Sequence, residues 1–170
     1  MPGSMPEGKD LAMYWIENKI NPQTVLDVGA GIGTYSLLFR KHNFVPKLLN
    51  AIEVWEPYIK EYELLNKYKN VFNVDVREWG DWDYDLVILG DILEHMSKEE
   101  ALELWNRISK KARYAIISIP IIDCPQGHEH NNPYEEHIKD DWTTQEVLES
   151  FSHIVDHNEY SVVGVFLAKF

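Results

Sequence analysis

One hundred and seventy residues, 45% of them hydrophobic, suffice for one domain with a real core and are too few for two. With 28 acidic against 16 basic side chains the formal charge is −12, which repels phosphate backbones and disfavours DNA or RNA as substrate. The single cysteine, Cys124, excludes an intramolecular disulfide, and no apolar run approaches the roughly 20 residues that span a bilayer, so no membrane partner is expected.

The start of the chain, Met1 to Ser4, lacks the apolar core of a signal peptide, so the expected compartment is the cytoplasm. A first helix is expected over about residues 9–19, with Leu11, Ala12, Trp15 and Ile16 on one side. Asn21-Pro22 ends it, because proline drives the residue before it out of helical geometry. Residues 24–28 read as a buried strand, followed by Gly29, Gly31 and Gly33 and a helix from Thr34 to about His42. Residues 47–53 form a second strand, and Pro57 suits the first turn of the next helix, whose Tyr58, Tyr62 and Leu65 should share a face.

A third strand covers residues 71–74, and the Trp-rich stretch 75–84 holds at most one helical turn. Residues 85–89 make a fourth strand. Ser97 and Glu100 spell a capping box that opens a helix with Ala101, Leu104, Trp105 and Ile108 on one side. The only basic cluster, Lys110, Lys111 and Arg113, sits at the end of that helix, where cations complement its dipole. Residues 114–119 are a fifth strand and 120–141 a long polar insertion. Thr143 and Glu146 suggest a second capping box for a short helix through Phe151. Two β runs, about 153–157 and 161–169, read as a closing hairpin. The alternation of strands and helices predicts a doubly wound α/β sheet, and the hairpin replaces the last crossover of a plain dinucleotide fold.

Three glycines at alternate positions after Asp27 let the chain turn tightly and approach a ligand closely. A dinucleotide fingerprint would need glycine at position 34, where this chain has Thr34, so the turn suits a ligand without a pyrophosphate. Glu53 closes the second strand 24 residues beyond Gly29, where a carboxylate can accept from both hydroxyls of a ribose. Asp75, at the end of the third strand, is similarly suited to an adenine amino group, with Trp79 or Trp82 stacking on the ring. Asp91 follows the fourth strand, where it could hold an ammonium group.

The ordered set Val25-Leu26-Asp27-Val28-Gly29-Ala30-Gly31-Ile32-Gly33, Glu53, Asp75 and then 85–95, ending Asp91-Ile92-Leu93-Glu94-His95, resembles the class I S-adenosylmethionine-dependent methyltransferases over roughly residues 25–169. The resemblance implies a Rossmann-like seven-stranded sheet, order 3-2-1-4-5-7-6, with the last strand antiparallel. Residues 1–22 would be an N-terminal extension and helix, and 23–170 the methyltransferase domain. It implies S-adenosylmethionine as cofactor, S-adenosylhomocysteine as product, ribose on Glu53, adenine on Asp75 and the methionyl part on the glycine turn. The expected cofactor contacts are therefore Asp27, Gly29, Ala30, Gly31 and Gly33 in the turn, Glu53 with Val54, Asp75 with Val76, and Asp91. The short 75–84 stretch departs from the full helix that many members carry there.

The run Asn132-Pro133-Tyr134-Glu135-Glu136-His137 before Trp142 looks like a subset of small methyltransferases associated with glycan or secondary-metabolite modification. A small-molecule or sugar acceptor is therefore expected, methylated on oxygen or nitrogen. The general base is sought among His95, His128, His130 and His137, with His137 and His128 ahead. His128 and His130 would share a face of an extended stretch, with Glu135 or His137 completing a metal site, but that spacing is weak and no metal is expected. Two other readings compete: a non-catalytic protein that binds the cofactor, and a nicotinamide dehydrogenase, against which Thr34 and the hairpin argue.

Overall fold

The computed structural model describes residues 5–170, so the expectation for Met1 to Ser4 lies outside the described residues. Five parallel strands, β1 (Thr24–Val28), β2 (Leu48–Ile52), β3 (Asn70–Phe72), β4 (Leu86–Gly90) and β5 (Tyr114–Pro120), form most of one sheet. The hairpin of β6 (Ile154–Glu159) and β7 (Val163–Lys169) completes it, with β7 running antiparallel between β5 and β6. The order β3-β2-β1-β4-β5-β7-β6 is the expected one.

Strand alternation divides the core between two faces. Val25, Leu86, Ile88 and Ile116 pack under α1 (Lys9–Trp15) and α2 (Thr34–His42), with Trp15, Tyr35 and Phe39 fully buried. On the opposite face Leu26, Val87, Leu89 and Ile117 meet α4 (Lys98–Ile108) and α5 (Thr144–Ser150), with Trp105, Trp142 and Phe151 between them. The helix α1 continues as a wider π-helical turn, Ile16–Ile20, and stops at Asn21 in the left-handed conformation before Pro22, as the sequence predicts. No helix among the described residues is long and apolar enough to cross a membrane.

Three expectations are corrected. The helix α3 (Glu56–Glu61) ends early, Glu63 takes a left-handed φ of 50°, and a 3-10 turn follows over Leu64–Asn66. That break rotates the buried face, so Leu64 is buried and Leu65 is 70% exposed. The capping box at α4 is complete, whereas at α5 only Thr143 caps, because the Glu146 carboxylate is drawn instead to Lys98 and Lys139. The tryptophans expected to stack on a ligand belong to the core: Trp82 is 2% exposed, and Trp79 lies against Phe72 with its indole N–H donated to the Asp81 carbonyl.

Candidate active site

The strand order reverses at β1, which lies between β2 and β4, and the crevice at such a switch point is where α/β sheets bind ligands. Val28 pairs in register with Ile52 and Leu89, so β1, β2 and β4 end at one edge. There the chain turns through Gly29, whose amide donates to the Ile52 carbonyl at 2.9 Å. Gly29 has a φ of 65°, and a Cβ on it would stand 1.9 Å from Ile92 Cδ1. Only glycine fits this turn without displacing Ile92.

Glu53 closes the same edge from β2. It is 4% exposed; its Oε2 accepts from the Gly31 amide and its Oε1 from the Trp55 amide, both at 2.9 Å. One carboxylate thus pins the glycine turn to the second strand. Burial pushes its pKa up against the pull of those two amides. Asp75 caps the 3-10 turn Val76–Glu78 and is held by the Arg77 guanidinium at 3.0 and 2.6 Å, which lowers its pKa. Asp91, at a left-handed φ of 56°, accepts from the Met5 amide at 2.7 Å and the Ser118 hydroxyl at 3.3 Å.

Two hollows adjoin here. The larger, about 310 Å³, is bounded by Gly29, Gly31, Glu53 and Asp91 on the sheet side and by Gln126, Tyr134, Glu135 and His137 on the insertion. The smaller, about 80 Å³, is an apolar slot between Val28, Ile52, Val74, Val76 and Met96 with Asp75 and Arg77 at its rim. Gly29, Val54, Ile92, His95 and Tyr134 border both.

The floor beneath the turn is acidic. Asp27 does not line either hollow; it is 3% exposed, and the Tyr68 hydroxyl donates to it at 2.5 Å. Burial lifts its pKa to about 7 despite that bond and the nearby Lys9. Lys9, 4% exposed, donates to the Ser118 hydroxyl at 3.0 Å; burial lowers its pKa against the attraction of Asp91, Asp27 and Glu94. A site with this excess of buried carboxylates favours a cationic ligand.

The insertion folds back over the edge. Ile138 and Lys139 both donate to the Glu94 carbonyl, at 2.8 and 3.1 Å, and deliver His137 beside His95 with ring centroids 4.9 Å apart. His137 Nδ1 lies 2.6 Å from the Cys124 carbonyl and His95 Nδ1 3.1 Å from the Glu136 carbonyl. A carbonyl only accepts, so both Nδ1 atoms carry the proton and both Nε2 atoms are left as bases. Burial holds His95 below the usual histidine range, against its bond to the Glu136 carbonyl. Glu94, 1% exposed and with an Oε2 that has no hydrogen-bond partner, brings a carboxylate oxygen within 4.8 Å of a ring nitrogen of each histidine.

The structure therefore gathers Gly29, Gly31, Glu53, Val54, Asp75, Val76, Asp91, His95 and His137 around the two hollows. Ala30 is in the core with Ala51, Leu64 and Tyr68, and Gly33 caps α2 against the Lys67 side chain. His128 lies outside both hollows, its Nε2 3.2 Å from Glu136, and neither it nor His130 belongs to the one cluster of three potential metal ligands found among the described residues. Glu94 and Lys9 were not anticipated as site residues. Glu94 was visible in the strand-end motif as a carboxylate in an apolar run; nothing local distinguishes Lys9 from a surface lysine.

No family model matches the chain, and no curated protein matches it in sequence. Solved structures do resemble it. The N-terminal domain of EvdMO1 with S-adenosylhomocysteine bound is 14% identical, with a TM-score of 0.68 over 98% of this chain and 82% of that one. The methyltransferase domain of bacterial CtHen1 is 16% identical, with a TM-score of 0.67 and 96% of both chains covered. An rRNA methylase from Escherichia coli is 14% identical, with a TM-score of 0.63 over 95% of this chain and 63% of that one. At such identities likeness speaks to architecture: the chain has the class I S-adenosylmethionine-dependent methyltransferase fold.

Proposed function

We propose that the protein is an S-adenosylmethionine-dependent methyltransferase acting on an oxygen or nitrogen of a small molecule or sugar. The observation that carries this reading is the convergence of the Gly29–Gly31 turn, Glu53, Asp75 and Asp91 on two adjoining hollows with two histidine bases at their boundary. The buried acids Asp27, Glu53 and Glu94, whose charged forms burial disfavours, would be stabilised by a cationic ligand.

In this reading Glu53 accepts from the ribose hydroxyls through the lone pairs its amide partners leave free. Asp75 accepts from the adenine amino group at the rim of the apolar slot, with Val76 under the ring. Asp91 takes the ammonium group. The cofactor supplies an electrophilic methyl carbon on a positively charged sulfur. The task of the protein is to hold the acceptor in line with that carbon, keep water out, and accept the acceptor's proton. His137 and His95 are the bases suited to that last role, since each ring is oriented by a carbonyl on Nδ1. A net charge of −12 and an acidic cavity favour a small acceptor over a nucleic acid.

Thermal unfolding with added ligand tests the cofactor. S-adenosylhomocysteine is expected to raise Tm and NAD to leave it unchanged; a rise with NAD alone would overturn the reading. Catalysis is tested by following turnover and S-adenosylhomocysteine affinity separately. His137→Ala should lower turnover at least tenfold while affinity stays within about threefold, and His128→Ala should change neither. Equal losses of affinity in both variants would point to a damaged fold instead of a lost base.

A further inference from the structure

We propose that Glu94, His95 and His137 form a binding site for one divalent first-row transition ion, of the manganese, cobalt or zinc type, on the acceptor side of the cavity. One ligand atom from each of the three lies within 4.8 Å of the others. Each of the three has an acceptor to offer: the Nε2 left on each ring once Nδ1 is donated, and a buried Glu94 oxygen without a partner. Unpaired buried acceptors in one place are costly unless a cation lies among them. Two imidazoles and a carboxylate match the preferences of such ions, and binding at about 2.0–2.2 Å would draw the three ligand atoms closer together.

The surroundings fit a metal centre as well as the ligands do. Metal-binding histidines commonly donate their other ring N–H to a carbonyl, which fixes tautomer and ring angle, and both rings do so here. The loop that carries His137 is tied by two backbone bonds to the carbonyl of Glu94 itself, so two ligands are set relative to each other by the main chain. His95 and His137 both border the larger hollow, so an ion held by three ligands keeps coordination positions open toward it.

This deepens the proposed function, on which the following consequence rests. An ion beside the acceptor selects an oxygen nucleophile: the coordinated hydroxyl gives its proton to water, the oxygen bonds to the methyl carbon, and the electron pair of the broken carbon–sulfur bond stays on sulfur. The acceptor class becomes a hydroxyl compound, with His95 and His137 as ligands to the ion in place of free bases.

The test separates the two claims. Protein stripped with a chelator is titrated with cobalt(II) chloride, read by visible absorption, and with zinc chloride, read by equilibrium dialysis; S-adenosylhomocysteine affinity is measured on the stripped protein. One ion per chain is expected, with affinity reduced at least tenfold in His95→Ala, His137→Ala and the near-isosteric Glu94→Gln. His128→Ala should bind the ion as the parent does. Circular dichroism and S-adenosylhomocysteine affinity report folding of each variant. No stoichiometric uptake, or uptake lost in His128→Ala and kept in His137→Ala, overturns the metal site while leaving the cofactor reading intact. A stripped protein that binds the ion but not S-adenosylhomocysteine overturns the cofactor reading alone.

Discussion

Glu53 performs two tasks with one carboxylate. Each oxygen accepts a single backbone amide, one from the glycine turn and one from its own strand end, which leaves each with a further lone pair. Glu53→Gln preserves the volume but sets an NH2 group against one of those amides. S-adenosylhomocysteine affinity is expected to fall at least tenfold, about 1.4 kcal/mol, by calorimetric titration. Unchanged affinity would remove Glu53 from the site. Asp27 is a different kind of residue, a support whose burial has a pH signature. Its folded pKa of about 7 lies above the unfolded value, so its contribution to stability is full below the unfolded value and is lost as pH rises through 7. Glu53 and Glu94, also raised, act in the same direction, while lowered His95 and lowered Lys9 act in the opposite one below their usual ranges. The unfolding free energy in urea should therefore fall between about pH 5 and pH 8, and Asp27→Asn should remove about 2 kcal/mol of that fall. An equally steep profile in the variant would contradict this assignment.

At the scale of elements, the two Ser/Thr-x-x-Glu patterns look alike in sequence and differ in the structure. Ser97 and Glu100 exchange both bonds, at 3.2 and 2.9 Å, and start α4 directly after the strand-end motif. Ser97→Ala is expected to cost about 1 kcal/mol in urea denaturation with little change in cofactor affinity. No loss would mean the cap is idle. At α5 the lysines Lys98 and Lys139 take Glu146, and their approach depends on tertiary packing that no local pattern encodes. The break in α3 has the same origin: the Tyr58-Tyr62-Leu65 spacing is helical, but the left-handed Glu63 lets Leu64 reach the core instead. The insertion was legible as a histidine-bearing loop and not as a partner of Glu94. The bonds that bring His137 to His95 cross from residues 138 and 139 to the Glu94 carbonyl, and such non-local ties leave no periodic trace.

For the whole molecule, the central strands were readable because parallel strands buried on both faces appear as continuous apolar runs, as in Leu86–Leu89 and Ala115–Ile117, whereas their order came from the family resemblance. The edge that carries the candidate site was readable for a related reason: acids that interrupt such runs, like Glu53 after Ala51 and Ile52, are hard to explain as packing. Lys9 stayed hidden because its partner Ser118 is 109 residues away. The overall charge makes its own prediction. A short RNA should show no binding by fluorescence anisotropy even at low salt, and binding that weakens steeply with added salt would argue for a nucleic-acid acceptor.

The most direct test is a crystal structure with S-adenosylhomocysteine bound. The adenine should lie in the slot above Val76 with its amino group toward Asp75, both ribose hydroxyls within hydrogen-bonding distance of Glu53, and the sulfur facing His95 and His137. A nucleoside bound elsewhere, or a ribose out of reach of the Glu53 carboxylate, would contradict the account.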